Sequence, residues 1–266
     1  MTPSKIIDCF TFFNELDILE IRLNVLDKYV DNFVIVESNK TFQKKDKPFH
    51  FEENKARFEK FLHKITYVKQ TEYNLTGTAF DMERQQRNWI VIGVASLKLP
   101  DTAIILISDV DEIPKPESFL FIDATKRNRL REKLYYYYLN SYDSAVGVGG
   151  CTNSTIAVPM SMLRGNSPHT LRDKPDLFPD TNLIENAGWH FSYCGGVDKI
   201  ITKICSFAHN ELNTPYYTDK SRLTEAIKNN KDIFDRPTVF EIVPIDESYP
   251  EYIQKNQHLY PHLIKC

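Results

Sequence analysis

The sequence predicts an α/β fold built on a mostly parallel central sheet. Three observations carry that expectation. Apolar runs and segments of helical period alternate through the first 110 residues. Two of the runs, NFVIVES at 32–38 and TAIILIS at 102–108, are apolar without alternation, as strands buried on both faces are. Acids gather where those runs stop: Glu37 after the first, Asp109, Asp111 and Glu112 after the second.

The elements follow in order. Residues 5–10 form a short apolar run, the first strand. Leu16, Leu19, Leu23, Leu26 and Val30 recur at helical spacing, with Asn14 placed to cap that helix. The strand at 32–38 comes next, then a helix over 52–63 with Phe58, Phe61 and Leu62 on one face, then a strand at ITYV, 65–68. A long helix is expected over 79–98, around Met82, Gln86, Trp89, Ile90 and Leu97, leading into TAIILIS. Strand–helix alternation of this kind gives parallel strands with right-handed crossovers. Ligands in such sheets bind beyond the carboxyl ends of the strands.

The second half is less regular. KLYYYYLN at 133–140 reads as a strand whose tyrosines divide between core and surface, followed by a glycine-bearing turn at 147–150. Residues 164–186 hold four prolines or glycines and read as loop. GWHFSYCGG at 188–196 reads as a strand entering a Gly-Gly turn, with helices over 197–207 and 219–229. No repeat, linker or low-complexity segment divides the chain, so 1–266 is expected to be one domain.

Composition narrows the function classes. With 42% hydrophobic and 26% charged residues the chain is an ordinary globular protein. A net charge of −3 argues against a general nucleic-acid binder. Cys9, Cys151, Cys194, Cys205 and Cys266 form no CxxC pair and match no zinc spacing, which points to free thiols in a reducing compartment. The first residues resemble neither a signal peptide nor a membrane span, and a cytoplasmic location is expected. The sequons at Asn39, Asn74 and Asn153 then read as chance matches. GxxxxGK[ST], GxSxG, HExxH and a GxGxxG after the first strand are all absent.

That leaves DVDEIPKP. Two carboxylates at a strand end suit a hard divalent cation, Mn²⁺ or Mg²⁺, that keeps room for substrate phosphates. Such a cation neutralises the charge on a departing diphosphate. An acid-rich turn with no ligand is the competing reading. Pro114 and Pro116 favour the first by fixing the turn.

Several blocks, in order, resemble glycosyltransferase family 17. They are DCFTFFNELDILEIRLNVL at 8–26, FVIVESNKTFQKKDKP at 33–48, FEENKARF at 51–58, QRN at 86–88, ILISDVDEIPKPE at 105–117, AGWHFSYCGG at 187–196, SFAHNE at 206–211 and VPID at 243–246. The resemblance covers nearly the whole chain and is carried by SDVDEIP with AGWHFS downstream. It implies a GT-A-like fold, with a donor half over about 1–117 and an acceptor-side half over about 118–266. It also implies an inverting, metal-dependent transfer of N-acetylglucosamine from UDP-GlcNAc to a glycan.

On that resemblance Asp111 is the direct metal ligand. Asp109 meets the metal through water or the donor's sugar, and His209 is a third ligand. Asn14, Glu15 and Glu37 fall where a nucleotide would lie, against capping and solvated strand ends. Arg84, Arg87 and Lys203 are candidates for phosphate, against surface ion pairs. Glu112, Glu185 and His190 are the candidate general bases; His190 could instead ligate metal or touch the diphosphate. Trp189 reads as core. Two other classes stay open: a nucleotide- or carbohydrate-binding protein without catalysis, and a phosphohydrolase of nucleotide sugars.

Overall fold

A computed structural model describes residues 5–144 and 155–266. The turn expected at 147–150, Cys151 and Asn153 lie outside the described residues. β1 (Ile6–Phe12), β2 (Asn32–Ser38), β3 (Ile65–Gln70) and β4 (Ile104–Asp109) lie side by side in the order β3-β2-β1-β4, all parallel. The connections are α1 (Leu16–Leu26), α2 (His50–Glu53) with a 3₁₀ helix (Lys55–Lys64), and α3 (Ala79–Asn88) followed by α4 (Ile90–Ser96). The expected alternation is therefore present.

The strands alternate faces as a buried parallel sheet must. Phe10, Phe33 and Ile35 share a core with Leu19 and Leu23 of α1. Ile7, Cys9, Val34 and Val36 share another with Ile90 and Val94 of α4. Gly93 makes the second layer fit: a Cβ there would stand 2.4 Å from Val34 Cγ1.

Three expected elements differ. The helix at 79–98 breaks at Trp89, whose N–H bonds both Gln85 O and Gln86 O and tightens the turn. Residues 52–63 are mostly 3₁₀, with Phe58 outside helical φ/ψ. Residues 164–186 are not all loop. They hold α6 (Pro168–Asp173), after α5 (Met160–Arg164), and β10 (Asn182–Ile184). Ser167 caps α6 by accepting from Thr170 N–H, and Pro168 opens it, a start signal present in the sequence.

The large sheet continues with β9 (Thr155–Pro159), β6 (Asn128–Leu130) and β10, in the order β10-β6-β9-β4-β1-β2-β3. β9 runs antiparallel to both neighbours, so the sheet is mixed, with four of six pairings parallel. A second sheet of five strands was not expected from the sequence. It joins β5 (Glu112–Pro114), β11 (Gly188–Ser192), β7 (Lys133–Tyr136), β8 (Ser141–Tyr142) and β12 (Glu241–Ile242). β7 stops at Tyr136 because Tyr137 takes φ +71°. The chain passes from the large sheet to the small one at Val110–Asp111, so the acidic stretch is the hinge between them. α7 (Val197–Ile204) and α8 (Lys220–Lys228) follow, and α9 (Glu251–Asn256) packs on α1. Trp189 is buried, its indole N–H donating to Ser248 O. Cys9, Cys194, Cys205 and Cys266 are free. No helix among the described residues is long and apolar enough to cross a membrane.

Candidate active site

The acidic hinge is held from below. Arg22, on the inner face of α1, is fully buried. Its Nη1 donates to the carbonyls of Asp109, Val110 and Glu112 at 3.0, 3.2 and 2.5 Å. Its Nε and Nη2 take both oxygens of Asp8, at 2.8 and 2.6 Å, and Nη2 also reaches Ser108 Oγ. A bidentate arginine that also collects three carbonyls fixes the turn without any ligand.

From the side, α6 supplies Arg172, buried, which pairs bidentately with Glu112 at 2.7 Å and reaches Asp109 Oδ2 at 3.1 Å. Arg87 on α3 donates to Asp109 Oδ1 at 3.2 Å and to Asp173 Oδ2 at 2.7 Å. Thr11 Oγ1 completes Asp109 at 2.8 Å. Burial opposes ionisation of Asp109, but Arg172, then Arg87 and the Thr11 bond hold it well below the usual carboxylate range.

Asp111 lines, with the more exposed Asp109, a cleft of about 440 Å³ over the carboxyl ends of β1 and β4. Its Oδ2 accepts from Lys203 Nζ at 2.9 Å. Its Oδ1 lies 3.7 Å from His190 Nε2. Burial would raise its pKa; Lys203, then His190, lower it on balance. Lys203 is shifted upward, because Asp111 outweighs the burial that would discharge it. Phe12, Phe13, Phe42, Phe80 and Phe207 give the cleft an aromatic lining. A roof closes over it where Phe42 N–H donates to Ser206 O and Gln43 Nε2 to Ile204 O and Phe207 O.

Among the expected site residues the structure brings Glu15, Asp109, Asp111, His190, Lys203 and His209 to this cleft, and places Arg87 just beneath it. Others are corrected. Glu37 is buried away from the cleft, accepting from Lys47 Nζ, His50 N–H, Phe51 N–H and Tyr67 O–H; it caps α2. Glu112 is sealed by Arg172 and by Asp109 N–H, so it is no base. Glu185 pairs with Arg131 at the surface and lines no part of the cleft. Arg84 forms a surface pair with Asp81. Asn14 does not cap α1. Glu15 precedes the helix without a side-chain cap, and Asn14 lines a smaller side cavity where its carbonyl accepts from Lys199. His209 lies edge-on to Phe80 with Nδ1 2.8 Å from Glu211. Among the described residues no three His, Cys, Asp or Glu side chains gather to hold a metal. The set Asp109, Asp111 and His209 is therefore not assembled, since Asp109 is spent on Arg87, Arg172 and Thr11.

One acid beneath the site is unusual. Glu132 is buried, accepts one bond from Thr155 Oγ1 at 2.6 Å, and leaves Oε2 without a partner among the described residues. It sits under Gly188, where a Cβ would meet Ile113 O at 2.4 Å. Burial, then the neighbouring Glu112, pushes its pKa up to about 8. The folded state thus keeps a proton that the unfolded chain, with its ordinary carboxyl, releases. Stability should fall as pH rises from about 4.5 to about 8, by up to about 1.4 kcal/mol per pH unit. Urea midpoints at pH 5.5 and 7.5 should show that slope, and Glu132→Gln should flatten it. An unchanged slope in the variant would assign it elsewhere.

The model of glycosyltransferase family 17 matches residues 1–262. The chain belongs to glycosyltransferase family 17. Within it, the chain is 25% identical to the beta-1,4-mannosyl-glycoprotein 4-beta-N-acetylglucosaminyltransferase of Rattus norvegicus over 310 aligned residues, 99% of this chain and 55% of that protein. The Homo sapiens protein of the same name is 25% identical over 309, covering 98% and 55%. The family-17 chain thus spans about half the length of these relatives. Among solved structures, glucosyl-3-phosphoglycerate synthase from Mycobacterium tuberculosis, in complex with Mn²⁺, UDP-Glc and glycerol 3-phosphate, aligns with a TM-score of 0.41. It is 12% identical over 76% of this chain and 80% of that one. A mannosyltransferase from Pyrobaculum calidifontis, in complex with GDP-Man and Mn²⁺, aligns at 0.39, 13% identical over 73% and 56%.

Proposed function

We propose that this chain is an inverting, metal-dependent glycosyltransferase moving N-acetylglucosamine from UDP-GlcNAc to a glycan. The observation that carries this reading is Asp111: one ionised carboxylate aimed into an aromatic-lined cleft at the strand ends, beside a lysine and a histidine. Family membership supports it.

The donor set fits a divalent cation. Asp111 Oδ2 is taken by Lys203; Oδ1 makes no hydrogen bond among the described residues and lies 3.7 Å from His190 Nε2. Two donors about 2.1 Å from one cation stand at most about 4.2 Å apart, so Asp111 and His190 could share Mn²⁺ or Mg²⁺. That ion, when bound, would neutralise charge on the departing diphosphate. Lys203, already in place, would donate to a diphosphate oxygen from the same side. The phenylalanines suit the flat faces of a nucleobase and the C–H face of a sugar. Asp109, locked by its two arginines, keeps the turn rigid rather than touching the donor.

The test is calorimetric titration of UDP, GDP and their sugar derivatives, with Mn²⁺, Mg²⁺ or chelator. UDP and UDP-GlcNAc should bind, and chelator should weaken them. No nucleotide binding under any metal condition would sink the reading.

A further inference from the structure

The transfer proposed above needs a base, and the expected candidates do not supply one. Glu112 is sealed and Glu185 lies outside the cleft. His190 faces Asp111, where a cation would repel its proton. Of the other ionisable groups lining the cleft, Glu83, Asp109 and Asp173 are each bonded to Arg87. His209 stands at the exposed rim against Glu211. Glu15 turns one oxygen back onto the N–H groups of Phe13 and Asn14.

Lys40 and Lys47 pair with Asp46 and Glu37. Among the described residues, one lining group remains. His169 is the second residue of α6, the helix hidden in the segment that reads as loop. Its Nδ1 lies 2.9 Å from Asp173 Oδ2, one helical turn on, in charge contact but out of line for a hydrogen bond. Its backbone N–H donates to Asn88 Oδ1 at 3.0 Å, fixing the main chain that carries the ring. Asp173 is in turn held by Arg87, whose other amino group holds Asp109. A histidine set against a carboxylate is the arrangement that proton abstraction calls for, and a small turn of the ring would align Nδ1–H with Asp173. Arg87 ties that pair rigidly to the acidic turn.

We propose that His169, paired with Asp173, is the general base of this transferase, and that it receives the proton of the acceptor hydroxyl on Nε2. The hydroxyl oxygen bonds to the anomeric carbon as its proton moves to the imidazole. The bond from that carbon to the β-phosphate oxygen breaks, and its electron pair leaves with UDP. The imidazolium so formed is stabilised by Asp173. The groups acting on His169 are Asp173 and Glu83, which favour its charge, and Arg87 and Arg84, which oppose it. Burial is the largest influence and the net direction is downward, so the ring is neutral at neutral pH.

This inference rests on the transferase reading, and water can serve as the acceptor in its test. UDP release from UDP-GlcNAc is followed with Mn²⁺ across pH 5–9, alongside calorimetry of UDP with Mn²⁺. In His169→Ala the release rate should fall by about 100-fold or more, with UDP affinity within about twofold of wild type. Added imidazole should restore part of the rate, which a merely structural histidine would not allow. The wild-type loss of rate at low pH should vanish in the variant. His169→Gln, which keeps the helix volume, serves if the alanine variant unfolds. A rate within about threefold of wild type in either variant, or wild-type binding of UDP without any release, overturns the assignment of His169 alone. Absence of UDP binding to wild type overturns the transferase reading itself, and the base with it.

Discussion

Asp111→Ala should abolish the metal-dependent part of UDP binding while leaving the fold intact. Asp109, Asp111 and Glu112 look alike in the sequence and differ sharply in the molecule. Asp109 and Glu112 are fastened to buried arginines, whereas Asp111 meets Lys203 and His190, both lining the open cleft. Removing it leaves Lys203 without its carboxylate, but that side chain keeps 27% exposure at the cleft wall, where solvent meets the ammonium. Its loss takes away the ionised oxygen that would hold the cation. A transition-state charge left without that support costs about 10³-fold or more in kcat/KM. Calorimetry with and without Mn²⁺, a melting curve and UDP release would check all three parts. UDP affinity that still depends on Mn²⁺ in the variant would move the metal away from Asp111.

Arg22→Met should produce the largest loss of stability in the chain. The methionine approximates the volume of the stem but satisfies nothing. Asp8, fully buried, would lose both charged bonds, and the carbonyls of Asp109, Val110 and Glu112 would lose their shared donor. Breaking one side of a buried ion pair costs about 3–5 kcal/mol. In a chain of this size that is on the order of 10 °C in melting temperature. Replacing both partners, as in Asp8→Leu with Arg22→Met, should recover much of the stability yet not the activity, since the turn remains unsupported. A single variant that melts within about 2 °C of wild type would show that water or rearrangement replaces the arginine.

The sequence made the parallel half legible because its strands are long and its connecting helices periodic. β2 starts and stops where NFVIVES does. The second sheet was hidden: β5, β8 and β12 have two or three residues each, too short for any alternation to register. The site was legible in part. An acidic turn at a strand end is visible in one dimension, but the division of labour among its three acids depends on arginines distant in sequence. Arg22 did leave a trace, being a charged residue amid Ile18, Leu19, Leu23 and Leu26, with an acid, Asp8, inside the apolar strand before it. Arg172, His169 and Asp173 left only the start signal Ser167-Pro168 in a segment otherwise rich in breakers. Glu37 misled because a strand-end acid that caps the next helix looks the same as one awaiting a ligand.

The packing of α9 on α1 has a consequence for how the chain is made. Tyr260 donates to Glu20 across 240 residues, and Tyr249, Ile253, Tyr260 and Leu263 complete the core that α1 shares. At about 5–20 residues per second, α1 emerges from the ribosome on the order of tens of seconds before its cover exists. The helix that anchors the acidic turn is thus synthesised well before the segment that covers this flank. For that interval its apolar flank is open to whatever else the nascent chain or the cell presents.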